Sequence, residues 1–238
     1  MPQTSFFSLT FPQLTAKYAA SMPAAPWLLV TGGRPPQSGW LAGLTGFAHC
    51  WAADHGIDSC HKNGLVPDCL LGDGDSASTA AWQWAETAGI PIRKFPAAKD
   101  LTDTQLALTM MREAGAPFIV LTGAFGGRFD HAFSTIFSAA VHEVPCCLID
   151  ESEALFYVTP QRPLTLTYQL RPKAISLLPF TAACEGVTIN NVRWPLTGAT
   201  LTQSQPNAVS NELLTNQDEF TVSLTQGILG VYCYWGKY

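Results

Sequence analysis

Charge is scarce in this chain. Only 13% of its residues are Asp, Glu, Lys or Arg, and the formal net charge is −5. No basic block occurs, which removes the electrostatic footprint that nucleic acid or an anionic membrane demands. No apolar run reaches the ~18 residues of a membrane-spanning helix. Pro23 and Pro26 interrupt the best N-terminal candidate. The first 14 residues lack Lys and Arg, so no secretory leader is expected. Seven cysteines are present but no Cys-x-x-Cys, so the thiols are expected to be reduced and the chain cytoplasmic. His49, Cys50, His55, Cys60 and His61 lie near one another in sequence but fit no standard zinc spacing. Gly-x-x-x-x-Gly-Lys-Ser/Thr is absent, which excludes a P-loop enzyme. Gly-x-Gly-x-x-Gly is absent too, which argues against a dinucleotide-binding fold.

What the chain does have is apolar material. Hydrophobic residues make up 47% of 238 positions, enough for one large domain or two small ones. Short apolar runs at 27–30, 50–53, 69–71, 92–95, 118–121 and 146–149 read as strands. Helical spacing appears from Trp40 through Ala48, over 78–88, after Thr102 and over 132–141. Thr102 with Gln105 three residues on has the form of a capping box, and Gly115 stops that helix. Strands alternating with helices predict a parallel sheet covered on both faces. After residue 150 short Thr- and Val-rich runs are separated by Pro, Gly, Asn and Gln. That texture predicts an antiparallel β domain, a sandwich or small barrel. The expected organisation is an α/β domain over 1–150, with residues 1 to about 25 packed as an extension, and a β domain over 151–238.

The polar loops fall on one side of this pattern. In a parallel sheet, ligands bind outside the carboxyl ends of the strands. The loops after strands carry Arg34, Asp54, Asp73, Asp75, Lys99, Asp103, Arg128 and Asp130. The helix-to-strand connections are plain. Gly72-Asp73-Gly74-Asp75-Ser76 is the densest of these loops. Residues i and i+2 of an extended chain face the same side, so the two carboxylates repel, and a divalent cation relieves that repulsion. It is no EF-hand: counted from Asp73, the sixth position is Ser78 and the twelfth is Trp84. Several Asp with Lys and Arg suit a magnesium–polyphosphate. Gly126-Gly127, just before a helix, offers backbone at close approach. Structural readings run alongside. Thr102 is also a helix cap, Lys99 and Asp100 a solvated pair, and Arg128 a partner for Asp130. His131 also reads as a buried histidine or a helix N-terminal residue, Trp194 as β-domain core, and Ser210-Asn211 as a turn.

Three motifs occur in order: Gly72-Asp73-x-Asp75-Ser76, Lys99-Asp100-x-Thr102-Asp103 and Gly126-Gly127-Arg128-Phe129-Asp130-His131. They resemble the motifs of the thiamine pyrophosphokinase family. Gly186-Val187-Thr188, Trp194-Pro195-Leu196, Ser210-Asn211-Glu212 and Gly227-Ile228-Leu229 resemble its β-domain pattern. The resemblance implies a Rossmann-like α/β nucleotide domain followed by a β-sandwich. It implies a homodimer with thiamine bound between subunits, and transfer of the terminal diphosphate of ATP to the thiamine hydroxyl, by attack on the β-phosphorus, giving thiamine diphosphate and AMP. Asp73, Asp75, Asp100 and Asp103 would hold Mg2+, and Asp103 or Asp130 would accept the hydroxyl proton. Lys99 and Arg128 would offset charge, and Ser76 and Thr102 would hydrogen-bond phosphate oxygens. Arg34, Asp54, Gly126, Gly127 and His131 would complete the ATP side. Trp194 would stack on a thiamine ring, with Ser210 and Asn211 close by. The chain departs from the family at Asp54-His55-Gly56, where Asp-Gly-Gly is usual. The expectation there is a strained conformation at His55. It departs also at Gly74, where a larger residue is common and a looser loop is expected. Two rivals remain: a diphosphotransferase for another alcohol, such as a pterin, and a non-catalytic nucleotide- or thiamine-binding protein. The latter should have lost a metal carboxylate.

Overall fold

The computed structural model describes residues 6–95 and 100–236. The chain opens with two strands, β1 (Phe7–Thr10) and β2 (Leu14–Tyr18), paired antiparallel. It then enters an α/β stretch. Strands β3 (Trp27–Val30), β4 (His49–Ala53), β5 (Cys69–Leu71) and β6 (Ile92–Arg93) alternate with α1 (Ser38–Ala42), α2 (Gly56–Asn63) and α3 (Thr79–Thr87). After these come α4 (Asp103–Glu113), β7 (Ile119–Thr122), α5 (Phe129–Val141) and β8 (Cys146–Ile149). Seven strands close the chain: β9 (Glu153–Val158), β10 (Leu164–Tyr168), β11 (Ala174–Pro179), β12 (Ala183–Ile189), β13 (Leu196–Thr202), β14 (Glu219–Ser223) and β15 (Leu229–Tyr234).

The chain divides into two units, Ala24–Asp150 and a second made of Met1–Pro23 with Glu151–Tyr238. The expected assignment of residues 1–25 to the α/β domain is therefore corrected. β2 pairs along its length with β10, Leu164 opposite Tyr18 and Tyr168 opposite Leu14. Leu14, Ala16 and Tyr18 alternate into the interior beside Leu164 and Leu166, so the N-terminal hairpin belongs to the β unit by both hydrogen bonding and burial.

In the α/β unit the strands run parallel in the order β8-β7-β3-β4-β5-β6. The four residues of β3, β7 and β8 are each buried, as a sheet covered on both faces requires. The chain moves outward from β3 to β6, then crosses back to β7 on the other side of β3. That reversal opens a crevice at the carboxyl ends of β3 and β7.

The helices follow their caps. Ser78 accepts from Ala81 N at 3.2 Å and starts α3. Thr102 and Gln105 form both bonds of the capping box at α4. One expectation fails here, and one helix was not anticipated. The helical pattern from Trp40 to Ala48 stops at Ala42, with Gly43 as C-cap and Gly46 at φ 85°. And α2 is a helix that apolar runs alone did not mark. Its signals are Asp58 in the first turn, Lys62 in the last and Gly64 as a left-handed C-cap.

The β unit holds the antiparallel six-stranded sheet β1-β2-β10-β14-β12-β13 and the antiparallel strands β11-β15-β9 of the nine-stranded sheet. Side chains of the two sheets meet inside this unit. Tyr168 Oη lies 3.1 Å from Cys233 Sγ, and the rings of Phe11 and Phe156 sit 6.3 Å apart.

Candidate active site

The loops after β3, β4, β5, β6 and β7 line one cleft of 550 Å³. Its floor is the crevice between β3 and β7, and the backbone knits it shut. Gly33 N donates to Gly123 O at 2.6 Å and Arg34 N to Phe125 O at 2.6 Å. The Thr31 hydroxyl donates toward the carbonyls of Gly123 at 2.8 Å and Thr122 at 3.1 Å. Gly123 has φ 68° and packs so closely that an added Cβ would overlap Thr31 O. Only glycine permits both. Gly126 and Gly127 follow at φ 67° and 68° and present side-chain-free backbone to the cleft.

The acidic wall is the loop after β5. Asp75 N donates to Asp73 Oδ1 at 3.1 Å, a short Asx turn. The Asp73 carboxyl raises the pKa of Asp75, first through a shared hydrogen bond and then through repulsion, with Asp103 adding to it. Asp103 sits at the start of α4 and lines the same cleft. These three carboxylates thus lie close enough to interact, Asp73 and Asp75 through a turn rather than through an extended strand. Asp100 is exposed, and Lys99 lies outside the described residues. Ser76 and Thr102 line the cleft, the Thr102 hydroxyl also accepting from Gln105 N at 3.2 Å. Gly74 has φ 84°, and a Cβ there would press on the Trp82 ring at 3.1 Å. The glycine therefore fits a tight turn against α3 rather than a loose one.

Two cations behave differently from each other. Arg34 turns to Asp150, donating from Nε at 3.1 Å and Nη2 at 2.5 Å to Oδ2. Asp150 is fully buried at the end of β8, and a buried carboxylate needs such a partner. Sequence reasoning missed Asp150. Its signal was a carboxylate directly after four buried apolar residues. Arg128 stays at the cleft and forks onto Asp130, Nε to Oδ1 at 3.1 Å and Nη2 to Oδ2 at 2.6 Å. That pairing holds the Asp130 carboxyl below the ordinary range and raises the Arg128 guanidinium. His131 lines the same wall, at the start of α5, and is exposed rather than buried.

The turn after β4 corrects one expectation. His55 takes ordinary helical angles, φ −58° and ψ −13°. The positive φ falls on Asp54, at 46°, a residue type that tolerates it. The other members of the sequence cluster separate in part, Cys50 and Cys60 remaining side by side with their thiols in hydrogen-bond contact. His49 meets Asp68 at 3.3 Å, His61 stacks on Trp84 at 4.9 Å, and Cys60 is buried.

In the β unit, Trp194 is 52% exposed, so it is not core. Asn211 braces it from both sides of the peptide: Trp194 N donates to Asn211 Oδ1 at 3.1 Å, and Asn211 Nδ2 to Trp194 O at 2.7 Å. Arg193 covers one face of the indole at 4.6 Å. Ser210 adopts φ 59° and donates its N–H to Ser176 Oγ at 3.1 Å.

Comparison with known proteins decides the family. The model described as "Thiamin pyrophosphokinase, catalytic domain" matches residues 47–147, and "Thiamin pyrophosphokinase, vitamin B1 binding domain" matches residues 164–229. The chain belongs to the thiamine pyrophosphokinase family. Thiamine pyrophosphokinase of Bacillus subtilis (strain 168) is 27% identical over 205 residues, covering 84% of this chain and 94% of the relative. The crystal structure of the Bacillus subtilis enzyme superposes with a TM-score of 0.78 at 24% identity, over 89% of this chain and 100% of that one. The yeast enzyme superposes at 0.71 and 14% identity, over 90% and 88%. These likenesses show the mixed α/β fold with its strand-rich C-terminal region.

The family match places each group of residues in its own half. Asp73, Asp75, Asp103, Arg128 and Asp130 fall within the catalytic-domain span. Trp194, Ser210 and Asn211 fall within the vitamin-binding span. Arg34, whose partner is Asp150, lies before the first.

Proposed function

We propose that this chain is a thiamine diphosphokinase that moves the terminal diphosphate of ATP onto the thiamine hydroxyl and releases AMP. The observation that carries the reading is the convergence of Asp75, Asp103 and the Gly126-Gly127-Arg128 turn on one cleft. An acidic wall facing a glycine wall with an exposed guanidinium suits a polyphosphate and its counter-cation. On this reading Ala24–Asp150 is a Rossmann-like nucleotide domain, and the β unit is a sandwich that takes thiamine.

Mg2+ fits the donor set. Asp73, Asp75 and Asp103 are hard oxygen donors close enough to repel, and a divalent cation removes that conflict. Asp73 and Asp75 would hold it, with Asp100 and Asp103 completing the shell. Bound there, the ion would neutralise charge on the phosphate chain.

The chain's own residues position the reactants. The thiamine hydroxyl oxygen attacks the β-phosphorus, the bond from that phosphorus to the α,β-bridging oxygen breaks, and that oxygen leaves with AMP. The hydroxyl proton passes to a carboxylate. Asp130 is held by Arg128 and is a weak base, so Asp103 is the proposed acceptor. Arg128 and Lys99 offset the transferring charge. The Thr102 hydroxyl accepts as a cap yet keeps its proton to donate; it and Ser76 bond phosphate oxygens. Arg34, Asp54, Gly126, Gly127 and His131 shape the ATP side. Trp194 stacks on the cationic thiamine, braced by Asn211 beside Ser210. The reading includes a homodimer, and a cytoplasmic setting accords with seven free cysteines. Among the described residues no helix is long and apolar enough to cross a membrane.

Isotope placement tests the reading. With ATP labelled at the γ-phosphorus, label is expected in thiamine diphosphate. With ATP labelled at the α-phosphorus, it is expected in AMP. γ-Label appearing in thiamine monophosphate or free phosphate contradicts diphosphate transfer.

A further inference from the structure

We propose that His55 is a positioning residue that latches the acidic loop, residues 72–78, to the first turn of α2. Its Nδ1 lies 3.1 Å from the Ser76 carbonyl oxygen and 3.3 Å from Asp58 Oδ2. Both neighbours only accept, so Nδ1 carries the proton and donates. Asp58 Oδ2 also accepts from Ser78 N at 3.2 Å. Asp58 thus holds the loop directly at Ser78, and the single Nδ1–H of His55, shared between Asp58 and the Ser76 carbonyl, ties Ser76 to the same turn of α2. Ser78 is itself the N-cap of α3, so the latch fixes the loop where it enters the helix.

The loop needs such a restraint. Asp73 and Asp75 lie just ahead of the held residues, and their carboxyls oppose each other, with Asp103 adding to the repulsion. Repelling charges on an exposed turn drive it open unless neighbouring atoms are pinned. Pinning Ser76 fixes the residue next to Asp75. The neighbourhood makes room for the root of the His55 side chain: a Cβ at Gly32 would sit 2.9 Å from His55 Cβ. His55 and Ser76 both line the cleft, so the latch lies in its wall.

This inference rests on the diphosphotransferase reading only for its kinetic consequence, and the test separates the two. His55→Asn places an amide N–H near the position of Nδ1, His55→Gln near that of Nε2, and His55→Ala supplies neither. Hydrogen exchange is measured on the ligand-free chain. Amides of residues 73–78 are expected to exchange faster in the Ala and Gln variants and at the parent rate in the Asn variant. The Mg2+ concentration for half-maximal transfer is expected to rise about tenfold in Ala and Gln, the size of one charge-assisted hydrogen bond, with KM for thiamine unchanged. In 15N-histidine spectra of the parent, Nδ1 is expected to be the protonated nitrogen. A bare Nδ1, rescue by Gln instead of Asn, or parent-like exchange in all three variants overturns the latch. If the parent transfers nothing, exchange and tautomer still decide the latch, and only the functional reading falls.

Discussion

Asp73 and Asp75 stand two residues apart, and their carboxyls share a hydrogen bond while repelling as charges. Removing the charge of Asp75 without changing its shape is the sharpest probe of the acidic wall. Asp75→Asn is expected to abolish transfer and leave the melting temperature unchanged, since the side chain is exposed. Retained activity with the parent's Mg2+ dependence contradicts its metal role. The pair also makes a titration prediction. A raised carboxyl pKa means that Asp75 stays protonated to higher pH than an ordinary aspartate. In Asp73→Asn the partner's charge is gone, so the Asp75 carboxyl midpoint, followed by 13C chemical shift, is expected to move down. An upward shift or none contradicts the coupling. An Asx turn with Gly74 at φ 84°, not the extended i, i+2 spacing, brings these carboxyls together, yet their residue types were legible in the sequence. The destinations of the arginines were not. A loop cation reads as a phosphate contact until the burial of Asp150 supplies it with another anion.

The two glycine-bearing loops after β3 and β7 are held by backbone bonds and by the Arg34–Asp150 pair. Arg34→Ala leaves a fully buried carboxylate without its cation. Because Arg34 is itself about a third exposed, the expected loss is about 3 kcal/mol, the low end for breaking a buried pair. Urea unfolding measures it, and a change under about 0.5 kcal/mol, the ordinary surface range, contradicts the structural role. At α4, Thr102→Ala removes the capping bond to Gln105 N and is expected to cost about 1 kcal/mol. If Thr102 also bonds phosphate, KM for ATP rises with it. If it is only a cap, stability falls and KM stays. The elements themselves were mostly legible. Strands with buried apolar runs and helices with Ser or Thr caps declare themselves locally. α2 did not, because its buried face is short, with Ile57 and Cys60 its only large apolar members, and its plainer signals are at its ends, in Asp58 and Gly64.

The whole chain is assembled from a discontinuous β unit and a continuous α/β unit. That arrangement was illegible from sequence, because β2 finds its partner β10 more than a hundred residues away, and nothing local encodes that pairing. Deleting residues 1–23 strips the outer strands from β10 and uncovers Leu164 and Leu166, which are fully buried in the intact chain. The truncated chain is expected to aggregate or lose cooperative unfolding, as judged by light scattering and thermal melting, because an apolar sheet edge is left open. A parent-like melt contradicts the pairing. The claim that joins all scales is that one chain carries out diphosphate transfer. The most direct measurement is to incubate the purified protein with ATP, Mg2+ and thiamine and quantify AMP and thiamine diphosphate together. The account predicts equal amounts of both, formed only when all three components are present. AMP without thiamine diphosphate contradicts thiamine as acceptor, and ADP with thiamine monophosphate contradicts the transfer of a diphosphate unit.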